Sequence, residues 1–143
     1  MQDFSFLIDL TIGLAAVAAP ALWATRGGLG RARWAAAVHP LLALGLFYSL
    51  AGHVHQRLGG WPEQIGTDGF PAILVNHTEL AWHAFGSLIL GLLIGLPLLA
   101  LGSFTLPNLR QARPVLACYA LVGLAAMVAM QCAPEAYLYW WWD

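Results

Sequence analysis

Four long apolar stretches, with nearly all of the charge gathered into the connections between them, confine this chain to one architecture. In hydrocarbon every backbone N–H and C=O must be satisfied within the protein, which a helix does and an open strand cannot. A crossing takes about 20 apolar residues. The spacing therefore predicts an all-α integral membrane four-helix bundle with spans at about 4–24, 34–55, 78–101 and 114–131. These form a single transmembrane domain over 1–143, with no separate soluble domain expected.

The charges give the bundle a direction. Arg26, Arg31 and Arg33 fall in the first connection, and Arg110 and Arg113 in the third. Asp3, Asp9, Glu63, Asp68, Glu79, Glu135 and Asp143 fall toward the opposite face, where Arg57 is the one arginine. Arginine gathers on the cytoplasmic side of membrane proteins. The expectation is an N-out/C-out protein of a bacterial cytoplasmic (inner) membrane, with both termini periplasmic. The opening stretch ends in small residues (Ala18, Ala19, Pro20, Ala21), as a signal peptide does. Asp3 and the lack of a cation before Arg26 are wrong for one, so this stretch is expected to remain as a membrane helix.

Composition narrows the function classes. The chain is 60% hydrophobic and 9% charged, against about 25% charged in soluble domains. Nucleic-acid binding needs a basic patch, and the arginines here are accounted for by topology. Cys118 and Cys132 sit fourteen residues apart on one expected helix. That is about 21 Å, too far for a disulfide. No nucleophile elbow, P-loop or dinucleotide fingerprint is present, so no catalytic activity of its own is expected. A transporter would show inverted repeats and broken helices, and no repeat is found.

The connections carry further signals. Residues 57–71 hold four glycines and two prolines in fifteen and read as a Gly/Pro-rich outer loop, anchored at the interface by Trp61 and Phe70. The third apolar region starts at Ala72, its first turns reading as an interfacial helical start. Ser87, Gly91 and Gly95 recur every fourth residue, a spacing that lets another helix approach closely. The tail from Tyr137 to Trp142 reads as an aromatic belt or as a docking surface for another subunit.

The chemistry rests in polar residues near the outer face. At 100° per residue, Ser49, His53 and Gln56 share one stripe of the second span, within about 60°. Asn76, Glu79, His83 and Ser87 share one of the third, within about 80°. Asp9 lies inside the first span and Gln131 ends the fourth. Lipid cannot satisfy such groups, so the stripes are expected to turn toward each other. His55 and His77 lie off them and read as interfacial.

Several readings fit this cluster. His53 and His83 are candidate axial ligands of a b-type haem or another tetrapyrrole held between neighbouring helices. Alternatively, His53, Glu79, His83 and Asp9 are candidate ligands of a transition metal, with Glu79 and His83 one helical turn apart. A third possibility is a proton relay or a polar quinone-head site. The plainest reading is a satisfied polar contact such as Asp9 with His53 or His83 that holds the bundle together, leaving a purely structural membrane protein. Ala35-x-x-x-His39 also resembles the bacteriochlorophyll-binding helix of light-harvesting polypeptides over five residues. That resemblance implies His39 as a tetrapyrrole ligand and Ala35 as room for the macrocycle. Against it, His39 beside Pro40 can hydrogen-bond a free carbonyl or face the headgroups. Taken together, the sequence points to a small accessory or anchor subunit of an electron- or proton-handling membrane complex, with lipid and other membrane subunits as partners. The alternative is a stand-alone haem or metal redox protein.

Overall fold

The computed structural model describes residues 2–62 and 66–142, the first two as backbone only. The side chain of Asp3, and Glu63 and Asp143 altogether, lie outside the described residues. Every regular element described is helical: α1 (Gln2–Thr25), α2 (Leu29–Leu58), α3 (Ala72–Leu90), α4 (Leu96–Thr105), α5 (Arg113–Met130) and α6 (Glu135–Trp142). A π-helical turn, Gly91–Gly95, joins α3 to α4, and a 3-10 segment, Pro107–Ala112, precedes α5.

Four stretches are long and apolar enough to cross a membrane: Phe4–Thr25, Leu29–Leu58, Ala72–Thr105 and Pro107–Met130. The chain is thus built as a multi-pass membrane protein. The 30 residues of α2 extend about 45 Å, past a hydrocarbon core of about 30 Å, so one end of this helix reaches the headgroup layer. Gly59, with φ of 71°, ends α2 in the left-handed conformation that glycine adopts without strain. The arginines of the α1–α2 and α4–α5 connections mark one end of the bundle. The 59–71 connection, the start of α1 and α6 mark the other.

The third apolar region is one continuous 34-residue helical stretch, from Ala72 to Thr105. Its π turn has a local cause. Pro97 has no N–H and its ring would press on the carbonyl one turn earlier. Widening the turn relieves this, and the Leu96 N–H donates to the Gly91 carbonyl instead. Such single π turns interrupt α-helices mostly at constrained places.

Helix α1 runs parallel to the α3–α4 stretch and packs against it through small residues. A Cβ added at Gly13 would lie 2.8 Å from the Gly91 nitrogen and still closer to the Ser87 carbonyl. Val17 meets Gly95 in the next turn. The Ser87–Gly91–Gly95 stripe is thus covered by α1 of the same chain, which leaves it no part in docking another subunit. Helix α2 packs against α1, α3 and α5.

The C-terminal aromatics also serve the chain itself. Tyr137, Trp140 and Trp141 are buried, while Tyr139 and Trp142 stay exposed. The Tyr137 hydroxyl donates to the Phe47 carbonyl at 3.0 Å, and Trp140 Nε1–H donates to the Gly66 carbonyl at 2.9 Å. Burial pushes the Tyr137 phenol above its ordinary range, so it remains a donor. Trp141 stacks on Trp82 at 4.4 Å and meets Phe47 edge-on at 5.1 Å. Helix α6 therefore folds back as a cap on one end of the bundle, not as a free belt.

Gly13→Ala should lower stability by about 1–3 kcal/mol, the cost of overpacking a tight contact. Gly45→Ala, where an added Cβ meets nothing within 4 Å, should be neutral or slightly stabilising. Equilibrium unfolding in mixed micelles of the two variants checks the contrast.

Candidate functional site

Polar side chains inside the bundle form three contacts at successive depths. The deepest joins three helices. His39 lies ten residues into α2, about 15 Å from the arginine end. Its Nε2 is 3.0 Å from Ser87 Oγ on α3, and its Nδ1 is 3.0 Å from the Tyr119 hydroxyl on α5. Ser87 Oγ donates its one proton to the Ala84 carbonyl at 3.0 Å, so it accepts from His39 Nε2–H. That leaves Nδ1 as acceptor for the Tyr119 O–H, and the neutral tautomer follows by elimination. Ser87 and Tyr119 are almost fully buried. Gly91 makes room for the phenol, since a Cβ there would collide with the Tyr119 hydroxyl.

The second contact lies about one helical turn along α3 toward the other end of the bundle. His83 Nδ1–H donates to Asp9 Oδ1 at 2.7 Å. Asp9 sits seven residues after Gln2 in α1, about 10 Å along the helix. Gly86 clears space for it: a Cβ there would lie 2.6 Å from Asp9 Oδ2. The carboxylate is 16% exposed, whereas the His83 side chain is 40% exposed on the flank of the bundle. This is the one ion-pair contact among the described residues.

The third contact closes the series near the end of α2. Ser49 Oγ donates to the Leu46 carbonyl and so accepts from His77 Nε2–H, 3.1 Å away. His77 Nδ1 is then an acceptor, and His53 Nδ1–H donates to it at 3.0 Å. His77 was expected at the interface, away from the polar stripes. It instead meets the Ser49–His53 stripe, because the rotation of α3 turns the His77 flank toward the last turns of α2. His55 stacks on Trp61 at 4.7 Å. Asn76, Glu79, Gln56 and Gln131 are exposed.

The structure thus gives His53 and His83 different partners. Each is engaged through Nδ1, an arrangement that a histidine ligating through Nε2 commonly keeps. Of the four residues read as metal ligands, Asp9 and His83 meet, His53 pairs elsewhere and Glu79 faces outward. Among the described residues no group of three or more His, Cys, Asp or Glu side chains is placed to hold a metal ion. Tyr119 was missed in the sequence. Its signal was its position, as the only hydroxyl in α5 and near the middle of a span.

Two hollows adjoin the deep contacts. A cleft of about 180 Å³ lies between α1, α2 and α3, with His39, His83 and Ser87 on one wall and Ile12, Leu46 and Leu80 among its apolar lining. A groove of about 390 Å³ runs between α1 and α2, lined by Ala15, Ala16, Ala19 and Ala35, with His39 on its wall. Ala35 and His39 therefore do share a hollow, but both ring nitrogens of His39 already have partners. No family model, curated protein or solved structure matches the chain.

Tyr119→Phe leaves His39 Nδ1 without its donor. Orphaning a buried group costs about 1–3 kcal/mol in soluble proteins. Hydrogen bonds between membrane helices average about 0.6 kcal/mol and reach about 1.7. The lower range applies here, so a Tyr119→Phe/His39→Phe double-mutant cycle should give a coupling of about 0.5–1.5 kcal/mol in micelle unfolding.

Proposed function

We propose that this protein is a small accessory subunit of a bacterial inner-membrane complex that handles protons, and that it carries them between the periplasmic face and the middle of the bilayer. The observation behind this reading is the graded series His53–His77, Asp9–His83 and His39–Tyr119–Ser87. Its last two members face one cleft. Along α3 the steps from His77 to His83 to Ser87 are six and four residues, or about 9 and 6 Å. The 180 Å³ cleft between His83 and His39 is walled almost wholly by apolar groups, which does not hold resting water, so the transfer between them requires the rings to move or water to enter transiently. Imidazole passes a proton by accepting at one nitrogen and releasing from the other, and a carboxylate beside it stabilises the charged form.

Two features favour a subunit over a stand-alone protein. His83 is 40% exposed at a depth where a bare imidazole facing lipid is costly, so a partner helix over this flank would relieve it. Among the described residues no comparable polar contact leads from Tyr119 to the arginine end, so a proton arriving at His39 needs an acceptor in the membrane. The α1–α2 groove beside His39 favours a quinone-type head as that acceptor: a quinone given two electrons by a redox-active partner subunit takes up two protons to form the quinol. In this orientation the arginine end is cytoplasmic and both termini are periplasmic.

The test uses the tagged full chain purified in mild detergent from its own membrane. The expected result is co-elution with at least one other membrane polypeptide and no haem absorbance band. Asp9→Asn and His83→Phe should then lower respiration-driven proton movement in membrane vesicles at least twofold, with the complex still recovered. A chain that elutes alone with stoichiometric iron, and loses a haem band in His53→Ala or His83→Ala, would contradict the proposal and make it a haem protein.

A further inference from the structure

The arginine end carries a second hollow that the polar series does not use. A groove of about 430 Å³ lies between α2 and α5, lined by Gly30, Arg33, Trp34 and Ala37 on one side and Cys118 and Val122 on the other. The spacing 30, 33, 34, 37 keeps these residues on one face of α2, and 118 with 122 does the same for α5. The groove extends about 10 Å along α2, with its cation toward the end of the helix and its apolar walls reaching into the span. Trp34 is 79% exposed and stands at headgroup level, where amphipathic rings collect. Cys118 Sγ–H donates to the Arg33 carbonyl at 3.5 Å, which ties the two walls together beside the cation.

Charge says what belongs there. Among the described residues Arg33 has no carboxylate within 4 Å, because the one ion pair there is Asp9–His83, and the described acidic residues Asp9, Asp68, Glu79 and Glu135 lie toward the opposite end. Arg31 in the same first turns of α2 and Arg26 in the turn before it are likewise without carboxylate partners among the described residues. A cation beside a narrow apolar slot, in a membrane surface layer that holds anionic lipid, matches a phosphodiester joined to an acyl chain. We infer that this groove is a binding site for an anionic phospholipid, with the phosphate on Arg33 and one acyl chain running along Ala37 and Val122. The inference stands apart from the proton reading, since it shares no residue with the polar series.

Native mass spectrometry of the purified full chain, titrated with dioleoylphosphatidylglycerol or dioleoylphosphatidylcholine, tests it. The expected result is one retained phosphatidylglycerol and weaker retention of phosphatidylcholine. Arg33→Gln should lower retention about fivefold. Gly30→Leu should lower it as well by filling the slot, and the fold should tolerate this change because a Cβ at Gly30 meets nothing within 4 Å. Arg31→Gln, outside the groove, should have little effect. Equal retention of both lipids, equal effects of Arg31→Gln and Arg33→Gln, or unchanged binding in Gly30→Leu would each overturn the site.

Discussion

A polar group inside a bilayer has no water to fall back on, and that constraint organises this bundle. Each imidazole that enters the spans finds a partner on another helix: His39 on α3 and α5, His83 on α1, and His53 with His77 across α2 and α3. These contacts stitch α1, α2, α3 and α5 together where apolar burial has little driving force, since lipid tails are as apolar as leucine. Imidazole and carboxylate groups can also take and give protons, which is why the proposed proton role falls on the same contacts that hold the bundle.

Small residues make the polar contacts possible. Gly13 against Gly91 brings α1 close to α3, Gly86 leaves space for the Asp9 carboxylate, and Gly91 leaves space for the Tyr119 hydroxyl. The π turn follows directly after that crowded level, where Pro97 forbids a regular turn. A side chain at any of these glycines would separate helices and break a hydrogen bond at once, so close packing and polar pairing are one device here.

Much of this was legible in the sequence, for physical reasons. Hydrocarbon thickness sets the length of a span, so four helical crossings could be read from apolar runs alone. A contact of Asp9 with His53 or His83 could be anticipated because ionisable residues at similar depth in neighbouring spans have few other ways to be satisfied; the structure chooses His83. What was not legible depended on helix rotation and crossing. His77 lies off the Asn76–Ser87 stripe by its angle on the helix, and meets His53 because the rotation of α3 turns that flank toward α2. His39 was read by its neighbour Pro40, whereas its partners are 48 and 80 residues away in sequence. The aromatic tail gave no sign of folding back, because a belt and a cap have the same composition.

The central claim is that the deep polar contacts exchange protons with the outer face instead of being sealed glue. Solid-state NMR of histidine-¹⁵N-labelled protein in bilayers, followed after transfer to D₂O, measures this directly. The account predicts that the ring N–H protons of His83 and His39 exchange within minutes, together with those of His53 and His77. Persistence of the His83 and His39 N–H signals for hours, with His53 and His77 already exchanged, would contradict it and leave the inner contacts purely structural.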